Sequence, residues 1–359
     1  MEHTLPPFSC TYSPAMPELL QKLGCTLAIS TYQAGKVIFI SASGGSLVQL
    51  PRNFEKPMGI AVEGNRLAVA SRNSVLVLSN STALAPSYPK QPNTYDALFL
   101  PRTQYFTGEL DIHDLHWTGS ELWAANTRFS CLATLGHDHN FTPQWKPYFI
   151  TRSEPTDQCH LNGMAFQSGK PKYVTALGQT EMDHGWKPGK AQGGILMDVE
   201  KNKIIAEDLP MPHSPRIYDG QLYVLLSATG NLVRIDLSSG NVEILKSLDG
   251  FVRGMDRIGD YLFIGLSKLR ETSTAFLDLP ISNRSIYCGV VAIYLPHMSV
   301  AGYLKYENSV EEIYDVRILP GLRRPGLLSA DKPEHQHALH TPDQNFWAVP
   351  KPKDDLNKF

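Results

Sequence analysis

The sequence has little that would place it at once in a familiar class. It has no apolar run near the roughly 18 residues that a transmembrane helix needs. Its 33 basic residues nearly balance its 35 acidic ones, giving a formal net charge of −2. That balance offers no electrostatic attraction to nucleic acid or to an anionic membrane, so we expect neither as a partner. Residues 1–17 lack the basic start and apolar stretch of a secretory signal peptide.

Cysteine is scarce and unpatterned. The five cysteines are odd in number and mostly lie among apolar residues, and no two have the spacing of a zinc finger. A disulfide framework needs paired, regularly spaced cysteines, and is found in oxidising compartments. We therefore predict reduced thiols in a cytoplasmic protein. They are Cys10, Cys25, Cys131, Cys159 and Cys288.

The familiar catalytic motifs are also missing, but a repeat is present. No GxSxG elbow and no phosphate-binding loop occurs. Instead, a turn followed by a short apolar strand recurs six times, at a period of roughly 50 residues, which is typical of a β-propeller or solenoid. The copies span 56–64, 111–119, 160–168, 212–220, 251–259 and 312–320.

Each copy is followed by further strand and hairpin patterns. Alternating β-branched and apolar residues bounded by Gly, Ser and Asn indicate about four strands per unit. The sequence therefore predicts an all-β, six-bladed β-propeller. The last unit has only its inner strand before a proline-rich tail, so we predict that N-terminal strands near residues 25–50 close the last blade. The expected division is an N-terminal extension (1–24), the propeller (25–326) and a polar tail (327–359).

Aligning the six copies predicts which side chains meet around the central channel. One ring then contains Met58, His113, Asn162, Ser214, Arg253 and Tyr314, and the next contains Gly59, Asp114, Gly163, Pro215, Gly254 and Asp315. His160 and His213 precede these positions. The loops between second and third strands reach the same end and add Arg72, Arg128, Arg270 and Glu271. A concave end with so many polar and titratable groups is a candidate ligand site.

Two kinds of chemistry follow from these residues. His113, His160 and His213, with Asp114 beside them, could act as catalytic acids and bases, or the three imidazoles could bind a divalent metal such as Zn, Mn or Fe. The alternative is that each histidine bonds a backbone group in the neighbouring blade.

The arginines indicate an anion site. Guanidinium groups bind carboxylates and phosphates with two hydrogen bonds, so Arg253, Arg128, Arg72 and Arg270 are candidate ligand-binding residues. Asn162, Glu271, Tyr314 and Asp315 are expected to complete that set. The alternative is that these charges pair with one another and tie the loops together.

Two resemblances accompany the repeat. The phrase His160-Leu-Asn-Gly-Met-Ala-Phe166 resembles the start of an inner strand in the gluconolactonase and strictosidine-synthase-like six-bladed propellers. That resemblance implies that Asn162 contributes to a metal or substrate site. From Cys25 to about Pro325, the chain is similar to a conserved bacterial family of unknown function. Phrases such as Asp111-Ile-His-Asp-Leu115 and Cys159-His-Leu-Asn-Gly163 carry this similarity.

The expected function is the binding of a small polar or anionic molecule, or a peptide, in the axial funnel. Three hypotheses remain open at this point: a hydrolase, lyase or isomerase, a non-catalytic binder of small molecules or peptides, and a protein-interaction scaffold. An enzyme should show a buried acid–base pair beside a closed pocket, whereas a binder should show none. A scaffold should show an exposed apolar patch on a rim or outer strand.

Overall fold

A computed structural model describes residues 5–269, 276 and 278–349. The chain begins with a short strand, β1 (Cys10–Tyr12), and the helix α1 (Ala15–Leu23). The helix ends at Gly24, whose left-handed φ of 59° lets its N–H bond back to Gln21 O. Within the described residues, no helix is long and apolar enough to cross a membrane.

Six antiparallel sheets form the blades, and blades 1 to 3 follow one another along the chain. Blade 1 consists of four strands: β5 (Ile60–Glu63), β6 (Arg66–Ala70), β7 (Ser74–Asn80) and β8 (Ala97–Phe106). Blade 2 contains β9 (Ile112–Thr118), β10 (Glu121–Asn126), β11 (Cys131–Leu135) and β12 (Thr142–Trp145). Blade 3 contains β13 (Leu161–Gln167), β14 (Lys170–Ala176), β15 (Gly194–Asp198) and β16 (Lys203–Leu209).

The next two blades repeat this plan. Blade 4 contains β17 (Pro212–Tyr218), β18 (Gln221–Leu226), β19 (Asn231–Ile235) and β20 (Val242–Ser247). Blade 5 contains β21 (Phe251–Ile258), β22 (Tyr261–Ser267), β23 (Gly289–Tyr294) and β24 (Ser299–Tyr306). Strand β1 pairs with β24 and becomes a fifth strand of blade 5.

The sixth blade joins the two ends of the propeller, as the sequence predicts. Its inner strand β25 (Asp315–Pro320) pairs with β2 (Cys25–Thr31), which leads outward through β3 (Lys36–Ser43) to β4 (Ser46–Asn53). Hydrogen bonding between strands from both ends closes the ring and leaves no open seam. The all-β, six-bladed fold is confirmed.

The residues after the ring are packed against it. Strand β26 (Pro325–Leu327) runs parallel to β8 as a fifth strand of blade 1. The hairpin β27 (Ala338–His340) and β28 (Asn345–Trp347) follows, and Ala338 joins an apolar cluster with Leu84 and Tyr88. Three single turns of 3-10 helix occur in the described ranges, at Pro280–Asn283, Leu295–His297 and Pro333–His337.

The core consists of apolar clusters between successive blades. The cluster between blades 5 and 6 is covered by α1, whose Met16, Leu19 and Leu20 are buried against Ile40 and Leu304. Near the axis, the inner strands approach each other so closely that some positions have no room for a side chain. Gly254 has a φ of 75°, and a Cβ there would lie 2.5 Å from the Val316 nitrogen.

One predicted register is wrong. Ile112 of blade 2 pairs with the last residue of its second strand, Asn126, and Pro212 of blade 4 pairs with the equivalent Leu226. His213 therefore takes the position of His113 in the inner ring, where the sequence alignment placed Ser214. The alignment is displaced because it matched Gly220 with Gly119. Tyr218 pairs with Gln221 as Thr118 pairs with Glu121, so Asp219 is the true equivalent of Gly119.

Candidate functional site

A pocket of about 220 Å³ opens at the end of the axis where the inner strands begin. Four of the predicted site residues line it, namely His113, His160, Arg253 and Tyr314. The other lining residues are Tyr32, Met58, Asp111, Leu177, Trp186, Met211, Phe251, Ser267, Lys268, Leu269, Phe276 and Glu312. We refer to this cavity as the mouth pocket.

The residues before the inner strands have an unusual backbone that shapes this pocket. Lys56, Asp111, His160 and Met211 start blades 1 to 4 at equivalent positions, with φ between 46° and 54°. This left-handed conformation costs a non-glycine residue of order 1–3 kcal/mol, so the surrounding structure must hold it in place. In blade 2, the turn directs the carbonyl oxygen of Asp111 at the His113 ring.

The hydrogen bonds of His113 define its tautomer. Its Nδ1 lies 2.8 Å from Asp111 O, which can only accept, so Nδ1 carries the proton. The same nitrogen lies 2.7 Å from the Thr127 hydroxyl, whose own proton is donated to Leu161 O of blade 3. Nε2 is therefore the nitrogen left as an acceptor. Burial lowers the pKa of His113 well below its usual value, and nearby His160 and Arg253 lower it further.

Blade 4 repeats the arrangement. His213 Nδ1 donates to Met211 O at 3.0 Å and to the Ser227 hydroxyl at 2.9 Å. Ser227 in turn donates to Val252 O of blade 5. Burial, followed by the charge of Arg253, lowers the pKa of His213 well below the usual value. The sequence alternative was a bond from each histidine to a backbone group of the neighbouring blade. His113 and His213 instead bond a carbonyl two residues before them, and the hydroxyl after the second strand makes the contact with the next blade.

His160 belongs to a different kind of pair. Its Nδ1 lies 2.9 Å and 3.1 Å from the two carboxylate oxygens of Asp157. Trp186 Nε1 also donates to Asp157, at 3.0 Å, and its ring packs on His160 with centroids 4.2 Å apart. The His113 ring meets His160 edge-on at 4.7 Å. Asp157 thereby fixes the rings of His160 and Trp186. Among the described residues, Nε2 of His160 is left without a hydrogen bond.

Arg253 supplies a positive charge to the pocket. Its guanidinium lies 3.3 Å from Glu312 and 3.4 Å from Nε2 of His213. The same group stacks over Tyr314, with its carbon 4.4 Å from the ring centroid, and more distantly over Phe251. Both polar contacts are long. Among the described residues, the buried Nε atom of Arg253 and the Tyr314 hydroxyl have no hydrogen-bond partner. Because a guanidinium has five N–H donors, Arg253 retains the capacity to bind an additional acceptor.

Beneath the mouth pocket lies a chamber of about 10 Å³, which holds four further predicted residues: Asp114, Asn162, His213 and Asp315. Asn162 is used structurally, since it donates to Pro212 O at 3.0 Å and accepts from Thr175 at 2.8 Å. The chamber has room for about one water molecule, so a larger ligand does not reach these side chains.

Asp114 and Asp315 are tied to arginines. Asp114 receives two hydrogen bonds from Arg216, at 2.8 and 3.0 Å, and one from Arg317 at 2.9 Å. Burial by itself raises the pKa of Asp114, but the two guanidinium groups outweigh it and the net pKa is lowered. Asp315 is bonded to Arg317 at 3.2 Å, yet burial raises its pKa to about 6. The side chains of Asp114, Asp315, Arg216 and Arg317 together fill the axis, and we refer to them as the axial plug.

The far side of the plug opens into a wider cavity of about 750 Å³. Its charged groups pair with each other, as Arg216 and Arg317 do with Asp114. His116 lines this cavity and stacks on Phe166 at 3.9 Å. Burial and the two arginines lower the pKa of His116 to about 4. We assign the candidate site to the smaller mouth pocket because it contains the His160–Asp157 pair next to histidines from neighbouring blades and Arg253.

The structure does not bring all of the predicted arginines into the pocket. Arg72 is half-exposed and bridges Glu55 and Glu109, at 3.1 and 2.8 Å, so it ties two loops together. Arg128 does not line the mouth pocket either. For Arg72, the alternative of charges pairing with each other applies. Arg270 and Glu271 lie outside the described residues.

The geometry also opposes the metal hypothesis for His113, His160 and His213. Within residues 5–269, 276 and 278–349, no three His, Cys, Asp or Glu side chains form a group that could hold an ion. An electrostatic reason is that the cationic Arg253 lies 3.4 Å from Nε2 of His213, the nitrogen that would bind the metal. A metal would have to approach against that charge.

Sequence reasoning missed Asp157 as the partner of His160. Asp157 lies in the loop of residues 146–160, outside any repeat, so alignment of the copies could not reveal it. The unusual length of the segment between Cys131 and Gln158 was the available sign, since long loops in compact domains often carry function. Thr127 and Ser227 could have been found from their shared position after a second strand.

The fold and the site define a six-bladed propeller with an axial mouth pocket. The chain belongs to the family described as Domain of unknown function (DUF4915), which matches residues 14–328. This confirms the resemblance to a conserved family without an assigned activity. No curated protein matches the chain.

Among solved structures, two similar chains share the fold at low identity. One is from the crystal structure of a nidogen/laminin complex, with a TM-score of 0.51, 11% identity, and coverage of 83% of this chain and 99% of that one. The other is a protein of unknown function from Bacteroides caccae, with a TM-score of 0.50, 9% identity, and coverage of 82% and 98%. At these identities, the likeness concerns the propeller fold alone.

Proposed function

We propose that the mouth pocket binds a small carboxylate and that His160 transfers a proton to or from it, as in a lyase or isomerase. The observation that carries this proposal is the hydrogen bond between Asp157 and His160 beside the partly unsatisfied Arg253. A non-catalytic binder has no need of an acid–base pair within hydrogen-bond reach, so this pair favours catalysis.

The proton inventory supports His160 as the base. The Asp157 carboxylate accepts from Nδ1, so a neutral His160 ring carries its lone pair on Nε2. A proton next to the substrate carboxylate would move to this nitrogen, and the negative charge left on the substrate would spread into the carboxylate held by Arg253. Asp157 keeps the Nδ1–H of His160 in place while Nε2 carries the proton, and returning that proton to a different atom completes an isomerisation.

The described lining offers little for covalent chemistry. Ser267 is a lining hydroxyl, but it donates to Ile313 O at 3.1 Å and accepts from Ile313 N at 2.9 Å. A nucleophile needs an adjacent base, and Ser267 has a backbone partner in that place. Proton transfer by His160 is therefore the chemistry that these residues support best.

A panel of small carboxylates, screened by thermal shift, tests the binding step. A bound carboxylate should raise the melting temperature of the wild type, because a ligand that prefers the native state stabilises it. The rise should vanish in Arg253→Gln and persist in Arg72→Gln, the matched change at an arginine outside the pocket. If no carboxylate shifts the wild type, or if Arg253→Gln responds equally, the proposal is wrong.

Exchange of substrate hydrogen for deuterium tests the catalytic step. Proton NMR in D₂O should show loss of the C–H signal next to the carboxylate of a bound compound, at least 100-fold slower in His160→Gln and slower in Asp157→Asn. Binding without any exchange in the wild type would instead make the protein a binder. A full exchange rate in His160→Gln would remove His160 from the chemistry.

We also propose a cytoplasmic location, as expected from the sequence. All five cysteines are free thiols, and four of them are buried. Unpaired cysteines persist in a reducing compartment. Fractionation of expressing cells checks this, and recovery of the protein outside the cytoplasm would contradict it.

A further inference from the structure

The mouth pocket has two chemically different sides. The charged lining groups have both signs, namely Asp111, Glu312, Arg253 and Lys268, and Arg253 stacks on the Tyr314 ring. The other side is apolar and is continuous with a buried cluster that includes Leu177, Met211 and Phe251. Trp186, Leu269 and Phe276 are partly buried against that cluster. A ligand that fills the pocket must therefore present a charged end and an apolar end.

Asp111 is the least explained group on the charged side. Its backbone is engaged, because its carbonyl oxygen accepts from His113. Its carboxylate, in contrast, forms no hydrogen bond and no ion pair with any residue that the structure describes. A carboxylate on the pocket wall without such a partner is available to a cationic group of a ligand.

Asp111 and Arg253 act on the same ring. The Arg253 guanidinium stacks on Tyr314 at 4.4 Å, and the His113 ring, two residues from Asp111, meets Tyr314 at 5.3 Å. Burial raises the pKa of Tyr314, Arg253 opposes this rise and Asp111 adds to it. An unpaired carboxylate and a partly satisfied guanidinium thus lie on one small patch of the wall.

Size sets a further limit. The pocket of about 220 Å³ lies below the range that is usual for the site of a drug-sized molecule. This small volume favours a single amino acid over a peptide.

We propose that the ligand is a free α-amino acid with an apolar side chain. Its carboxylate lies at Arg253, its ammonium group at Asp111, and its side chain against Phe251 and Leu177. A molecule that bears both charges matches a pocket lined by both Arg253 and Asp111, and the apolar side receives the rest of the molecule. This inference rests on the proposed function, since it specifies the carboxylate that the mouth pocket would bind.

Three matched probes separate the contributions of the two charges. L-phenylalanine has both charges, 3-phenylpropionate lacks the ammonium group, and 2-phenylethylamine lacks the carboxylate. L-leucine and 4-methylpentanoate form a second, aliphatic series. Isothermal titration calorimetry at neutral pH should give at least a tenfold lower Kd for the amino acid than for the acid in one of the two series, and no comparable binding of the amine.

Asp111→Asn is the decisive variant. Asparagine tolerates the left-handed backbone at this position, so the turn should be kept. In this variant, we expect the amino acid to lose its tenfold advantage and bind within about twofold of the matching acid, whose own Kd should not change. Arg253→Gln should weaken both compounds, and Arg72→Gln should weaken neither.

The outcomes distinguish this inference from the proposed function. If the acid and the amino acid bind the wild type equally, the ligand is a simple carboxylate and only the inference is overturned. If Asp111→Asn keeps the full preference for the amino acid, the ammonium site is wrongly placed. If neither series binds the wild type, both the inference and the proposed function fail.

Discussion

Acidification should destabilise this protein through histidines that the fold keeps neutral, and His116 gives the clearest measure of the effect. The pKa of His116 is lowered to about 4 by burial and by Arg317 and Arg216, with Asp114 opposing. An unfolded histidine has a pKa of about 6.5. Between these two pKa values, the unfolded state binds a proton and the folded state does not. The contribution of His116 to the free energy of unfolding is therefore complete above pH 6.5 and is lost as pH falls towards 4.

The size of the effect follows from the two pKa values. Each unit of difference is worth about 1.4 kcal/mol, so His116 alone should remove about 2 kcal/mol from the free energy of unfolding between pH 6.5 and 5. His113 and His213 have lowered pKa values too and add to the loss in the same direction. Asp315 works against it, because its raised pKa of about 6 makes the folded state the better proton acceptor between pH 6 and 4.

Urea unfolding at several pH values, followed by tryptophan fluorescence, isolates the part due to His116. The other groups titrate in both proteins, so their effects cancel in the comparison. Between pH 6.5 and 5, the free energy of unfolding of the wild type should fall by about 2 kcal/mol relative to that of His116→Gln. The same substitution at exposed His297 controls for loss of a surface imidazole. A difference between His116→Gln and the wild type that stays constant with pH would refute the reasoning.

Three further predictions concern the fold near the axis. Asp114→Asn removes the charge that two buried arginines share, and we expect a loss of about 3–5 kcal/mol, measured as a lower urea midpoint. Thr127→Val removes one of two oxygens near Nδ1 of His113 and leaves the buried Leu161 O of blade 3 without this donor, which should cost about 1–3 kcal/mol in the same assay. Gly254→Ala should prevent folding, seen as loss of soluble protein and of the β-sheet circular dichroism spectrum, because the new Cβ would clash with backbone.

Each of these has its own check. Gly259→Ala is the control for Gly254→Ala, since Gly259 also has a positive φ of 56° but open space around it, and the cost there should be only about 1–2 kcal/mol. Equal losses at the two glycines would mean that backbone conformation, and not close approach, sets the requirement. Wild-type stability in Asp114→Asn or Thr127→Val would show that the axial plug or the hydroxyl contact is dispensable.

Residue patterns alone determined the architecture. The period of roughly 50 residues, the four-strand pattern of each unit and the incomplete last unit predicted six blades and the closure by N-terminal strands, which pairing of β25 with β2 confirms. Such features are local or repeat along the chain, so one sequence contains them. The same alignment brought His113, His160, Arg253 and Tyr314 to one pocket.

The tertiary structure alone decided how these residues are used. Strand pairing placed His213, and not Ser214, in the ring. The bonds of Asp114 to Arg216 and Arg317 made a predicted acid–base group part of a buried plug. Asp157 reached His160 from a loop that belongs to no repeat. Ion pairs, strand pairing and loop contacts depend on distances between residues far apart in sequence. The periodic pattern of hydrophobic residues does not determine those distances.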